Sequence, residues 1–119
     1  MLRVSAKVNE TDIDIQGLAG NAESADEGIE FGSHLMQFGE AVATRDEEAL
    51  ASARQALLDV AGPDVVVDAA GVAANFQRMV RIADSIGIPY DNPDSGLGRQ
   101  VREELNLNAF ASAQNTFNV

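Results

Sequence analysis

The sequence predicts an all-α fold, a compact bundle of about five closely packed helices. Apolar residues recur at steps of three and four along several segments, the period of one helix face. Aromatic residues make up only 5% of the 119 residues and tryptophan is absent, so alanine, leucine and valine must fill the core. Small core side chains favour closely spaced helices.

The length predicts a single helical domain over residues 1–119. Within it we expect an N-terminal arm at 1–23, core helices at 24–89, and a loop with a C-terminal helix and tail at 90–119. The arm admits two interpretations. Apolar residues alternate along its first part as in a strand, whereas Thr11 and Asp14 favour a short helix ending near Gly20. We favour an extended arm followed by that short helix.

Two core helices are predicted from capping-box spacing, in which a serine or threonine precedes a glutamate by three residues. Ser24 and Glu27 open the first, which ends just before Thr44. Thr44 and Glu47 open the second, which Gly62 closes. The inward face of the first comprises Phe31, Leu35, Phe38 and Val42, and that of the second Leu50, Ala53, Leu57 and Val60.

A long helix is predicted after Pro63, which suits a first helical turn, and it stops at Gly87 and Pro89. Gly71 costs about 1 kcal/mol relative to alanine inside a helix, which favours a close-packing role for it over mere tolerance. The predicted buried face comprises Val65, Ala69, Val72, Phe76, Val80 and Ala83, and the small neighbours are Ala70, Gly71, Ala73 and Ala74.

The C-terminal region opens with a loop rich in proline and glycine. Asp94 or Ser95 then caps a short helix that carries Val101 and Leu105. The tail contains Phe110 and Phe117, two large apolar side chains that need cover or a partner.

Charge and composition exclude several classes of function. Nineteen acidic against eight basic residues give a formal net charge of −11, which disfavours nucleic-acid and membrane partners. We favour solubility as the explanation of this acidity, and docking of a basic partner is the alternative. The N-terminus lacks a signal-peptide core, and no segment has 18 uninterrupted apolar residues, so we expect a soluble cytoplasmic protein.

Two motifs resemble a known family over residues 34–89. The first is an F-x-E-A-like segment, and the second an N-x-x-x-x-x-R-x-A-D-x-x-G-I-P-like run. Together they are similar to the C-terminal half of the alkylhydroperoxidase-like, or carboxymuconolactone decarboxylase, superfamily. The resemblance implies an all-helical, alkylhydroperoxidase-like subunit that oligomerises. The matching residues are Phe38, Glu40 and Ala41, then Asn75, Arg81, Ala83, Asp84, Gly87, Ile88 and Pro89.

The departure from that family concerns its chemistry. Its peroxidase branch uses a Cys-x-x-Cys pair with a nearby histidine, and this chain has no cysteine. Thiol peroxidase activity is therefore excluded, because the thiolate is the nucleophile. The resemblance therefore assigns no catalytic residue to this chain.

His34 is the only histidine, so a general acid or base acting at neutral pH would have to be built around it. On a helix Glu30 lies one turn before it, and Glu40 is the second candidate carboxylate. The catalytic hypothesis is therefore His34 with Glu30 and Glu40. The alternative, which we favour, is a partly exposed histidine with solvated carboxylate neighbours. One histidine lacks the two-histidine spacing of helical zinc sites, and we expect no metal or cofactor.

Asn75, Arg78 and Arg81 follow one another at three-residue intervals on the long helix. Arginines in an acidic protein are suited to binding a carboxylate ligand by paired hydrogen bonds. The alternative, which we favour, is ion pairing with Asp68, Asp84 or another subunit.

These observations leave three functional hypotheses. The leading one is a homo-oligomer that binds a small organic ligand or has a structural role. The second is a cofactor-free lyase or isomerase acting on an acidic small molecule. The third is a protein–protein adaptor that docks through Phe110 and Phe117.

Overall fold

The structure, a computed structural model, describes residues 28–117. The described chain is mostly helical and contains no strand, which confirms the all-α prediction for this range. The predicted arm and the capping box at Ser24 and Glu27 lie outside the described residues. The α-helices are α1 (Gly32–Thr44), α2 (Glu47–Ile86), α3 (Gly96–Glu104) and α4 (Gln114–Phe117), with 3₁₀ turns at Leu107–Ala109 and Ala111–Ala113.

A bundle of five helices is not confirmed, since residues 28–117 form four α-helices. The second and third core helices, which we expected to be separate, are joined end to end in α2 and are separated by the non-helical backbone of Gly62. The chain also divides into two compact units, Met1–Gln77 and Arg78–Val119. α2 contributes its residues through Gln77 to the first unit and the remainder to the second.

The N-terminal cap of α2 differs from the one that we predicted. Thr44 does not open α2; it is the last residue of α1, and its Oγ1 donates to the carbonyl of Glu40 at 3.0 Å. Arg45 follows with a left-handed φ of 59°. Asp46 then caps α2, because its Oδ1 accepts from the backbone N–H of Ala49 at 2.9 Å. The reversal at Arg45 places the cap two residues later than predicted.

The start of α1 also differs from the prediction. Residues 28–31 form bends and turns, and Phe31 has a φ of 58° immediately before the helix begins at Gly32. The prediction that the helix beginning at Ser24 continues through residues 28–31 is therefore wrong. A left-handed residue cannot continue a right-handed α-helix, so the backbone at Phe31 sets the boundary.

The core of the first unit lies where α1 packs against the first part of α2. Phe38 and Ala41 of α1 are buried together with Ala53 and Leu57 of α2. Leu57 is fully buried, with 0% of its surface exposed. Two of the four core residues are alanines, whose size permits close approach of the helix axes. Val60, which we predicted to face inward, is exposed.

α2 is interrupted at Gly62, where φ is 83° and ψ is 173°. This region of backbone space is essentially restricted to glycine. Pro63 follows and has no backbone N–H to lose, so it starts the second part of the helix without leaving a donor unsatisfied. The predicted end of a helix at Gly62 is confirmed as a break inside α2.

The second unit contains the end of α2, α3 and the C-terminal turns. Gly87 ends α2 with a φ of 63°, and Ile88 donates its N–H to Ala83 at 3.1 Å, as in a glycine C-cap. Ser95 caps α3, since its Oγ accepts from the N–H of Gly98 at 3.2 Å. Both predictions are confirmed.

Tyr90 and Arg102 link the loop after α2 to the elements that follow it. The N–H of Tyr90 donates to Oγ1 of Thr116 at 2.8 Å. The Arg102 guanidinium lies 5.5 Å from the centre of the Tyr90 ring and donates to the carbonyl of Pro93. These contacts hold the loop against α3 and α4.

Leu57→Ala should destabilise the protein by about 2–5 kcal/mol, because it leaves a cavity at the most buried side chain. Leu58→Ala is the matched control, since Leu58 is the next residue in the chain and is 37% exposed. Urea unfolding followed by circular dichroism gives both free energies of unfolding. Equal losses for the two variants would contradict the packing described for Leu57.

Gly62→Ala should cost about 1–3 kcal/mol, since alanine is strained at this φ and ψ. Gly71→Ala should instead stabilise by up to about 1 kcal/mol, because Gly71 is helical and no described atom lies within 4 Å of its Cβ position. Thermal unfolding of the two variants measures both changes in stability, which should have opposite signs. A stabilising Gly62→Ala would show that α2 is continuous in solution.

Candidate functional site

An open cleft lies between α1 and the first part of α2. Its volume is about 620 Å³, and the start of α2 forms one wall. Small residues on both helices leave this space, since alanine side chains do not reach across it. The lining residues are Gln37, Glu40, Ala41, Thr44, Asp46, Ala49, Ser52, Ala53 and Ala56.

The charged groups of this cleft are two carboxylates, those of Glu40 and Asp46. None of its lining residues carries a positive charge. Asp46 also caps α2, where the partial positive charge of the helix N-terminus offsets its own. The cleft therefore favours a neutral or cationic molecule and disfavours an acidic one.

His34 lies in the first turn of α1 and is half-buried. Its Nδ1 is 3.5 Å from the Oγ of the adjacent Ser33. Glu30 is exposed and lies in the turn before α1, so the one-turn helical spacing expected between Glu30 and His34 is wrong. Glu40 is on α1 but six residues beyond His34, about 120° around the helix. Glu40 lines the cleft, whereas His34 is not among its lining residues.

The predicted ligand-binding residues Asn75, Arg78 and Arg81 are exposed on α2. Asn75 belongs to the first unit, and both arginines belong to the second. None of the three lines the cleft described above. Their role in binding an acidic ligand stays a prediction that rests on their spacing along one helix.

A second cavity, of about 480 Å³, lies in the second unit. Sequence reasoning did not find it, because its residues come from α2 and the C-terminal turns and share no motif. Phe110, 62% exposed, is its large apolar side chain. The lining residues are Asp84, Phe110, Ala111, Ser112 and Asn115.

Between residues 28 and 117, no group of three or more acidic or histidine side chains is placed to hold a metal ion. Over the same range, no helix combines the length and apolar character needed to cross a bilayer.

Apolar side chains form a stripe along the second part of α2. Its members alternate at steps of four and three residues, the heptad spacing by which helices pack side by side. Val72, Phe76 and Val80, which we predicted to be buried, are exposed, so the face that periodicity selected is open to solvent. We call the heptad positions within the first unit the α2 seam: Val65, Ala69, Val72 and Phe76.

The α2 seam differs in exposure along its length. Val65 and Ala69 are partly buried against the Leu57 core. Val72 is 58% exposed and Phe76 is 47% exposed. Large apolar side chains arranged contiguously on one helix face are typical of an interaction surface.

Comparison of the chain with protein-family models, curated proteins and solved structures gave no match. The resemblance to the alkylhydroperoxidase-like superfamily therefore rests on the residues quoted for it. The cleft and the α2 seam are the two structural features that bear on function.

His34→Gln should change the free energy of unfolding by less than about 0.5 kcal/mol, because His34 is only half-buried and its described hydrogen bond is long. Urea unfolding at pH 7 measures this. The variant is then a clean probe of any turnover that is found. A loss above about 2 kcal/mol would instead assign His34 a structural role.

Proposed function

We propose that this protein is an all-helical subunit that self-associates through the α2 seam, related to the alkylhydroperoxidase-like superfamily but without thiol peroxidase activity. The observation that carries the proposal is the row of large apolar side chains exposed on α2. Val72 and Phe76 are exposed on one helix face of the first unit, and a second helix with the same spacing would cover them.

The dimensions suit a helix–helix interface. From Val65 to Phe76 the seam extends about 16 Å along the helix. Completing the burial of a half-exposed large apolar side chain contributes roughly 1 kcal/mol. Two such side chains on each of two copies supply roughly 4 kcal/mol, which reaches the lower end of the cost of association.

A small-molecule role is the second candidate, supported by the cleft between α1 and α2. Its volume, about 620 Å³, is within the usual range of ligand sites. Because Glu40 and Asp46 line it, we propose a neutral or cationic organic ligand there rather than the acidic one expected from the arginines. Acid–base catalysis by His34 is the weaker proposal, since His34 is not among the cleft's lining residues.

Phe76→Glu should weaken self-association at least about tenfold, because a two-fold interface would bury the introduced charge twice. Val67→Glu is the matched control, since Val67 is 70% exposed on α2 but lies about 140° from Val72 around the helix. Sedimentation velocity over a range of micromolar concentrations gives both dissociation constants.

Two outcomes would contradict the proposal. A wild-type protein that stays monomeric at tens of micromolar would remove self-association. Equal weakening by Phe76→Glu and Val67→Glu would show that the oligomer does not use the α2 seam. Circular dichroism of each variant confirms that its helices are retained.

A further inference from the structure

The second cavity, of about 480 Å³, lies wholly within the second unit. Asp84, in the last turn of α2, contributes one wall, and the residues that follow the first 3₁₀ turn contribute the others. These two parts of the chain are far apart in sequence. The cavity therefore exists because the C-terminal turns contact the end of α2.

Three features hold the C-terminal turns in this place. The side chain of Asn115 lies over Gly87, with its Nδ2 3.6 Å from the position that a Cβ of residue 87 would occupy. The Oγ1 of Thr116 accepts from the N–H of Tyr90 at 2.8 Å. Ala113 is buried, with 3% of its surface exposed. The polar side chains at the cavity are thus carried by turns that are anchored on both sides.

The charged group of this cavity is the carboxylate of Asp84. Arg81 lies one helical turn before it, but between residues 28 and 117 the Asp84 side chain takes part in no ion pair. The hydroxyl of Ser112 and the amide oxygen of Asn115 add neutral hydrogen-bond acceptors. The cavity therefore presents a negative charge and acceptors to a group that carries a positive charge and N–H donors.

Phe110 supplies the aromatic part of the cavity. Its backbone is extended, with φ −74° and ψ 141°, between the two 3₁₀ turns, and its side chain is 62% exposed. The face of an aromatic ring carries partial negative charge and attracts cations. A carboxylate and an aromatic ring that line one cavity are a combination suited to an organic cation.

We propose that this cavity binds a small organic ammonium ion. Its nitrogen lies between the Asp84 carboxylate and the Phe110 ring, and its apolar part lies against Ala111. The volume is within the usual range of small-molecule sites, and the net charge of −11 favours the approach of cations. The α2 seam and the cleft between α1 and α2 both lie in the first unit, so this inference is independent of the proposed function.

Cyclohexylammonium is the probe, and cyclohexanecarboxylate and cyclohexanol are its anionic and neutral counterparts of similar shape. Titration at about 0.15 M salt, followed by backbone-amide NMR, gives a dissociation constant and locates the site, since salt screens diffuse attraction to the acidic surface. We expect saturable shifts at Asp84, Ser112 and Asn115, with a dissociation constant on the order of 1–10 mM for so small a ligand. The two counterparts should bind at least about threefold more weakly.

Conservative variants test the two groups that recognise the cation. Asp84→Asn should raise the dissociation constant about three- to fivefold, because it removes the charge and keeps the shape. Phe110→Leu should raise it about threefold and should abolish the upfield ring-current shift of the probe's own protons. Asp91→Asn is the matched control, since Asp91 is exposed in the second unit and does not line the cavity. It should change the constant by less than about 1.5-fold.

Three results would overturn the inference. The first is equal binding of the cation and the anion, and the second is equal weakening by Asp84→Asn and Asp91→Asn. The third is the absence of saturable shifts up to about tenfold above the expected constant. Circular dichroism of each variant shows whether its helices are retained, and the ring-current shift in the wild type tests the site without any variant.

The position of the shifted amides separates this inference from the small-molecule proposal for the first unit. Saturable shifts at Glu40 and Asp46 without shifts at Asp84 would support the cleft and overturn the site in the second unit. Sedimentation velocity of the same samples reports self-association separately.

The ammonium group could be supplied by a free small molecule or by a lysine side chain, and the proposal is the free molecule. Nα-acetyl-lysine methylamide carries the same group in a peptide-like setting. It should bind more weakly than cyclohexylammonium, because its flexible side chain loses more rotamer freedom on binding. Tighter binding of the lysine derivative would overturn the assignment to a free small molecule.

Discussion

The burial of Leu57 in one cluster with Phe38, Ala41 and Ala53 is the interaction on which the first unit depends. It is the point at which α1 meets α2, and Leu57 is the side chain there that is withdrawn completely from solvent. The two alanines of this cluster bury little area themselves. Hydrophobic stabilisation scales with buried apolar area, so this core is compact rather than strongly stabilising.

The break at Gly62 and Pro63 divides α2 into a part that completes this core and a part that is more exposed. Before the break, Ala53 and Leu57 are buried; after it, Val65 and Ala69 are still partly covered, and from Val72 onward the seam is open. Helices in proteins draw most of their stability from burying one face. An apolar face left open on a long helix therefore provides a physical reason to associate, and the heptad spacing makes another helix the fitting partner.

The chemistry of the chain is sparse by comparison. It has no thiol and a single histidine, and that histidine is not among the residues lining the cleft between α1 and α2. The carboxylates of Glu40 and Asp46 give that cleft an acidic character, which matches the acidity of the whole chain. Function is accordingly better sought in assembly and in binding of neutral or cationic molecules than in catalysis on an acidic substrate.

The sequence by itself determined the all-α class of the described chain, the helix break at Gly62 and the stop at Gly87, because these depend on local backbone preferences, and it limited the cap of α3 to Asp94 or Ser95. It also excluded thiol chemistry. Only the tertiary structure decided which apolar face is covered. Periodicity groups Val72, Phe76 and Val80 on one side of a helix, but burial depends on whether another element packs there. The same reason explains the cap at Asp46 and the position of Glu30 outside α1, since both were decided by how the chain turns between packed helices.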